Sequence, residues 1–535
     1  IHSMKRCPEC MRDYYDDSLS YCLDDGSVLL EGPSSNPSFT VEPATAVMPF
    51  PGIADQPTVR SWLGEAAGPP LNSTAVLPFR NLSSSGEGDY FSDGLAEELL
   101  NVLSKIEGLQ VAARTSAFYF KNAAATVVEI GRSLGVATVV EGSVRSAGER
   151  VRISVSLVKV SDGFQLWSET YDRTLSDIFA VQDDIAQSVV QELRGLLLGI
   201  EPEEIPLLSV ESEVAEAVRG RTADPEAHRL MLMGRYHLGL YTRENAEAAI
   251  EFFMRALEID PGFALCWAEL SRAHSVCGGK AWSNTDEAFA LSRKAVEKAL
   301  ELDPELAEAH AQLGRVQAAY DWDLKAAEAS YDRALAIAPG SATVLDGASI
   351  LAYKLGNFDR ALELSRRVLD HDPLSAPVWH NLGLLCHSAG MLKEAETAFQ
   401  RSLEMPTSGL ATSALLALVV LDRGDSVRAK ELANAERDEY WKDWAIAMIE
   451  HKEGNTSASD SALERLKAEA TVGDVFQIAE VHAFRGEADE AFEWLERAIA
   501  ARDAGVTHAK VDPRFSNLTN DPRWLPLMER IGLGD

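Results

Sequence analysis

Hydrophobic residues in this chain follow two spacings, and the balance between them changes near residue 200. In "ERVRISVSLVKV" apolar and polar positions alternate, Val151, Ile153, Val155 and Leu157 against Arg152, Ser154 and Ser156, which predicts a half-buried strand. "SDG" then turns into "FQLWSETYD", the partner strand of a hairpin. Upstream, "STAVLPF" predicts a buried strand over Ala75 to Phe79, and "LQVAAR" and "ATVVEGSVR" predict two more. Between them the spacing becomes three and four. Leu95, Leu99, Leu100, Leu103 and Ile106 form one stripe in "DYFSDGLAEELLNVLSKI", a helix capped by Ser92 or Asp93. "TVVEIGRSLG" is a short helix ended by Gly135, and "LSDIFAVQDDIAQSVVQELRGLL" is an amphipathic helix with Ile178, Phe179, Ile185, Val189 and Leu193 inward. The order is β-α-β-α-β-β-β-α across residues 73–200.

From residue 224 onward the spacing is helical almost throughout, and it repeats. "ALEIDP", "ALELDP", "ALAIAP", "VLDHDP" and "SLEMP" end at Pro261, Pro304, Pro339, Pro373 and Pro406, at intervals of 43, 35, 34 and 33. Each proline ends a helix by denying the next amide bond. A period near 34 is that of the tetratricopeptide repeat, a pair of antiparallel helices. The fifth unit resembles its signature: Trp379, Leu382, Gly383, Cys386 and Gly390 in the first helix and turn, then Ala395, Phe399 and Ser402 in the second. The longest interval holds extra residues around "CGGKAWSNT", expected as a loop within the second unit. Three weaker units follow Pro406, so repeats over 224–505 total about eight hairpins wound into a superhelix, with 506–535 as a capping segment.

Two further segments precede these. Residues 31–72 are rich in Pro, Gly and Ser without lasting period and read as a linker. Residues 4–30 hold "CPEC" and "CLDD", a zinc-ribbon-like segment in which Cys7, Cys10 and Cys22 offer three thiolates and Asp25 stands at the spacing of the fourth ligand. So short a segment with little apolar content needs a staple to fold, which points to structural Zn; the alternative is a degenerate ribbon that has lost its last ligand. The expected fold class is therefore α+β multidomain: a small zinc ribbon, an α/β domain and an all-α tetratricopeptide superhelix.

The α/β motifs "AVLPFRNLS", "DYFSDGLAEEL", "VVEGSVR", "RVRISVSLVKVSDGFQLWSETYDR" and "IFAVQDDIA" resemble the domain shared by FlgO-like proteins and the TolB amino-terminal domain. That resemblance implies a bacterial binding or assembly module placed before tetratricopeptide repeats in regulators, some fused to adenylate cyclase, protein kinase or winged-helix modules. Ribbon-bearing relatives commonly carry a membrane helix in the linker, and this chain shows none there.

Charge and composition narrow the function. The chain has 83 acidic and 50 basic residues, a formal net charge of -33, and no basic cluster, which disfavours nucleic acid as a partner. The longest apolar run, "LLALVVL", is far short of the ~20 residues a bilayer needs, so no membrane span is expected. Without a signal peptide or disulfide framework, the expected location is cytoplasmic, with Cys266, Cys277 and Cys386 as buried free thiols. Gly86 and Gly88 stand at a strand–helix junction, but no phosphate-loop motif surrounds them and Glu87, Asp89 and Asp93 would repel a phosphate. No catalytic motif is found.

In tetratricopeptide proteins the concave surface is lined mainly by first helices, and one known use clamps a peptide carboxylate with Lys and Asn at the fifth and ninth positions. Here those positions hold Ala268 and Arg272, Ala311 and Arg315, Asp346 and Ile350, and His380 and Leu384, so no such clamp can form. Arg272, Arg315, His380 and His387 are the candidate protein-binding groove residues; solvated helix faces are the alternative. The expected function is a non-enzymatic scaffold binding protein partners through the concave surface. The alternatives are a sensor whose α/β domain binds a small molecule, and a self-assembling homo-oligomer.

Overall fold

The computed structural model describes residues 69–534 apart from 84–88, 107, 122, 148–149, 175–177, 199–206, 219, 241, 281, 406–408, 410 and 471–474. Nearer the N-terminus it describes three short strands, Lys5–Arg6 (β1), Asp13–Tyr14 (β2) and Leu30–Glu31 (β3), paired antiparallel in the order β2-β1-β3. The chain divides into two compact units, Ile1–Gly52 and Ile53–Asp535. Sheet and repeats both belong to the second.

That unit begins with Ser73–Val76 (β4), Arg80–Asn81 (β5), Asp89–Leu103 (α1), Gln110–Val111 (β6), Arg114–Phe118 (α2) and Val127–Leu134 (α3). Thr138–Ala147 (β7), Arg150–Lys159 (β8), Gln165–Thr174 (β9), Ile178–Leu198 (α4) and Leu207–Ala217 (α5) complete the layer. The sheet is mixed, in the order β6-β4-β7-β8-β9: β4 is parallel to both neighbours, and β7, β8 and β9 form an antiparallel meander. The alternation read in β8 is the burial observed, with Val151, Ile153, Val155 and Leu157 buried and Arg150 and Arg152 exposed. They pack with Leu95, Leu99 and Leu103 of α1, Ile185, Val189 and Leu193 of α4, and Val210 and Val214 of α5. On the opposite face Ile130 and Leu134 of α3 cover Ala75 and Val139. Thr126 and Glu129 close a capping box on α3, and Gly135 ends it at φ 67.

One boundary differs from the sequence expectation. Helix α1 starts at Asp89, so Ser92 and Asp93 lie inside it rather than at its cap. Both are buried, and Asp93 accepts a bond from Lys121 at 2.5 Å. A tertiary partner for the carboxylate outweighs its local preference for a cap.

Eight helical hairpins follow. They are Pro225–Leu238 (α6) with Arg243–Ile259 (α7), Ala264–Gly279 (α8) with Thr285–Leu302 (α9), and Ala307–Val316 (α10) with Leu324–Ile337 (α11). Next come Ala342–Leu355 (α12) with Phe358–His371 (α13), and Ala376–Ser388 (α14) with Leu392–Leu403 (α15). Thr412–Asp422 (α16) with Ser426–Asn434 (α17), Glu439–Lys452 (α18) with Thr456–Glu469 (α19), and Phe476–Phe484 (α20) with Ala488–Ala500 (α21) complete the array. Within a hairpin the helices meet where a small residue faces an aromatic ring. A Cβ built on Gly383 would stand 2.6 Å from the Phe399 ring, and one on Gly314 2.9 Å from Tyr331. Between hairpins, Trp379 Nε1 donates to the Pro373 carbonyl at 2.8 Å, as Trp267 Nε1 does to Pro261 at 3.0 Å. The prolines thus terminate one helix and anchor the next.

The array does not end open. Arg502, just past α21, lays its guanidinium over the rings of Tyr320 and Trp322, 4.5 and 5.2 Å from their centroids, and donates to the Tyr320 carbonyl at 2.6 Å. Gly532 sits so close to the Trp322 carbonyl that no Cβ could be accommodated. The chain just past the eighth hairpin therefore returns to the third.

Candidate functional site

First helices line the inner face of such a superhelix, and here a segment of the chain itself lies against five of them. After α21 the chain makes two short 3-10 turns, Ala504–His508 and Pro513–Phe515, then the helix Trp524–Arg530 (α22). Asp503 accepts bonds from the Val475 and Phe476 amides at 3.0 and 2.9 Å, fixing the start of this tail on α20. His508 meets the Tyr353 ring of α12 at 5.6 Å, and Val511 lies beside Gly356. Pro513 and Arg514 share a pocket of about 60 Å³ with His387 of α14, Leu418 and Asp422 of α16 and Met448 of α18. The tail thus spans the inner face of hairpins four to eight. Its helix α22 covers the last second helix, with Arg523 paired to Asp489 and Arg530 to Glu496.

The anchor of the tail is electrostatic as well as apolar. Arg514 Nη2 pairs with Asp512 at 2.6 Å and Glu480 at 3.1 Å, its guanidinium 4.9 Å from the Trp444 ring, whose Nε1 donates to Glu480 at 2.8 Å. Burial pushes the Glu480 carboxyl well above its ordinary pKa. Burial also opposes charge on Asp512, yet Arg514 holds it below the usual carboxylate range. Phe515 is fully buried between the rings of Phe476 and Trp524, at 5.5 and 5.8 Å.

A second set of buried charges ties the α/β layer to the repeats. Glu98 of α1 pairs with Arg235 of α6 at 2.5 Å and with Arg221 at 3.1 Å; Arg235 also pairs with Glu269 of α8 at 2.9 Å. Glu98 and Arg235 are 1 and 7% exposed. Burial works against ionisation of Glu98, but Arg235 and Arg221 hold its pKa down to about 2. Further along, Asp372 in the turn before α14 accepts from the Ser116 amide and hydroxyl at 3.0 and 2.6 Å, while the Ala113 amide donates to the His371 carbonyl.

The four candidate groove residues are not gathered into one site. Arg272 belongs to the charge network, paired with Glu269 at 2.7 Å. His387 Nε2 is 2.7 Å from Asp422. His380 Nδ1 is 2.9 Å from the Thr412 hydroxyl, and burial pushes its pKa down to about 4. Arg315 is exposed on the inner side of α10, near Asp346 and Lys354. Lys354, Arg514 and His508 have no periodic signal in the sequence; Lys354, in the last turn of α12, reads only as a complement to the helix dipole. Outside the groove, a cleft of about 340 Å³ opens between α13, α14 and α15, with Leu369, Leu382 and Met391 along its floor and Arg366, Lys393 and Glu394 among its lining.

The expected zinc ligands Cys7, Cys10, Cys22 and Asp25 lie outside the described residues. Among the described residues no cluster of three or more His, Cys, Asp or Glu is placed to hold a metal ion, and no helix is long and apolar enough to cross a membrane. Cys266, Cys277 and Cys386 are free and buried.

Residues 355–408 and 241–263 match family models described as tetratricopeptide repeat. A protein of Rhizobium meliloti (strain 1021), named as a proposed adenylate cyclase, is 37% identical over 234 residues, which are 43% of this chain. The match spans only 38% of that relative's length. Among solved structures, a tetratricopeptide repeat protein from Parabacteroides merdae is 17% identical, covering 46% of this chain and 99% of its own, at a TM-score of 0.35. The pilF protein of Pseudomonas aeruginosa is 20% identical, covering 37% and 90%, at a TM-score of 0.31. The helical hairpins of this chain are tetratricopeptide repeats, joined to a small mixed sheet.

Proposed function

We propose that this chain is a non-enzymatic scaffold that binds protein through its tetratricopeptide repeats. Repeats of this kind typically mediate protein–protein interaction, and the observation that carries the reading is the tail: the inner groove of hairpins four to eight already holds a segment of the chain itself, residues 504–518, through an arginine and an aromatic anchor. A partner therefore docks on the outer faces, or reaches the groove by displacing that segment. Affinity capture with residues 53–535 is expected to recover one protein at stoichiometric amount. Recovery of none at any salt concentration, or conversion of ATP to cyclic AMP by the chain alone, would overturn the reading.

A second reading, a sensor, draws on the charge network that locks the α/β layer to the repeats and on the Rhizobium relative, in which the matched part would serve as a regulatory segment. In both readings the α/β layer is a FlgO/TolB-like binding module and the N-terminal ribbon holds structural zinc through Cys7, Cys10, Cys22 and Asp25. Zinc content per chain is expected to fall in Cys22→Ala; equal zinc in both proteins would make the ribbon a relic.

A further inference from the structure

The mixed sheet ends on a long open edge. Strand β9, Gln165–Thr174, pairs with β8 alone among the described strands, whereas β6 at the other edge is two residues long. Seven of the ten residues of β9 are exposed. An edge of that length offers a row of amides and carbonyls as a template for another strand unless something blunts it. β9 has no proline, and its register shift lies at the Gln165 end, which leaves Trp167–Thr174 regular. Only its charges remain to guard it.

The two faces of β9 treat those charges differently. On one face, polar side chains find partners on β8: Asp172 pairs with Arg152 at 2.6 Å, and Thr170 bonds to Ser154 at 3.0 Å. On the other, the β8 residues opposite Glu169 and Arg173 are Val155 and Val151, which offer no counter-charge. Glu169 and Arg173 are both exposed, and neither makes an ion pair among the described residues. Glu169 accepts from the Tyr171 hydroxyl at 3.0 Å, and Arg173 donates to the Asp172 carbonyl at 3.1 Å. The two opposite charges stand symmetrically about Tyr171.

We propose that β9 pairs antiparallel with β9 of a second copy of this chain, about a two-fold axis at Tyr171. A sheet continued with the same face inward allows only registers that oppose residues of equal parity. Centred on Tyr171, each Glu169 faces Arg173 of the other copy, giving two cross-strand ion pairs with Cβ atoms roughly 5 Å apart. Centring on Glu169, Asp172 or Arg173 sets like charges opposite one another. Centring on Thr170 leaves Glu169 facing Tyr171 and Arg173 facing Trp167. The charges that guard the edge against other strands thus admit its own copy in one register. The net charge of -33 opposes association in general. Physiological salt screens that repulsion beyond about 8 Å, so the match at the contact decides.

Sedimentation equilibrium of the full chain in reducing buffer tests the proposal. Strand pairing alone covers less than a standard interface, so a weak dimer is expected, with a dissociation constant of about 1–100 μM. Glu169→Arg and Arg173→Glu each set like charges opposite and are expected to weaken it at least about tenfold. The double variant Glu169→Arg, Arg173→Glu restores the match and is expected to return to within about threefold of wild type. Both positions are exposed, so melting temperatures are expected to be unchanged. A chain that is monomeric at every concentration would overturn the proposal. So would a dimer indifferent to both single reversals, or single reversals that the double variant fails to rescue.

Discussion

Replacing Arg235 with methionine is expected to destabilise the fold by about 3–5 kcal/mol, the cost of leaving a buried charge without its partner. Arg235 is the only side chain that bonds both Glu98 of the α/β layer and Glu269 of the second hairpin among the described residues. Methionine keeps the apolar stem, so the loss is that of the guanidinium, its charge and its bonds. Glu98 would keep Arg221 and Glu269 would keep Arg272, which sets the lower end of the range. The measurement is urea unfolding followed separately in the sheet and the helices. Wild type should show one transition for α/β layer and early hairpins; the variant should show the layer departing first. The double variant Glu98→Met, Arg235→Met should cost less than the sum of its parts. A loss below about 1 kcal/mol would mean that water already reaches the pair. Acid acts on the same group. The folded pKa of Glu98 lies near 2, below the ordinary 4.5, so its contribution is full above pH 4.5 and drains as pH falls toward 2. That acid sensitivity should shrink in Arg235→Met.

Phe515→Ala should cost about 3–5 kcal/mol, since a fully buried phenyl ring is removed from between two other rings. The size of this effect separates two pictures of the tail. If residues 504–518 are part of the core, the variant melts well below wild type and hairpins seven and eight lose amide protection together with the tail. If the tail is a detachable strap, the loss stays under about 1 kcal/mol and only the tail becomes open to protease. The buried ion pairs of Arg514 with Asp512 and Glu480 and the seat of Phe515 both argue for the first picture.

The sequence carried the local structure well because each local element leaves a periodic trace. Alternation in β8, the stripe on α1 and the proline spacing of the hairpins all report which face a residue turns to its own neighbours. Contacts distant in sequence leave no such trace. Asp372 read as part of a helix-ending "HDP", yet its carboxylate serves Ser116, 256 residues away. Glu98 and Arg235 are 137 apart, on two amphipathic helices whose polar sides gave no reason to pair them. The tail was legible as a cap, which α22 is, but its return along the groove depends on the curvature of eight stacked hairpins, and no single repeat encodes that. The four groove candidates were chosen by helix position alone; whether each meets solvent, a carboxylate or the tail is decided by that same curvature.

The clasp of Arg502 on Tyr320 has a consequence for synthesis. The two residues are 182 apart. At about 5–20 residues per second, a ribosome needs roughly 10–35 s to deliver the second after the first. An open repeat array can fold hairpin by hairpin as it emerges, each contacting only its predecessor. This one can stack its hairpins on that schedule but cannot close until residues 502–532 are free, and until then the inner faces of α12, α14, α16, α18 and α20 stand bare. The newborn chain therefore passes through an interval in which its groove is open to other proteins, and that interval ends when its own residues 504–518 take the place.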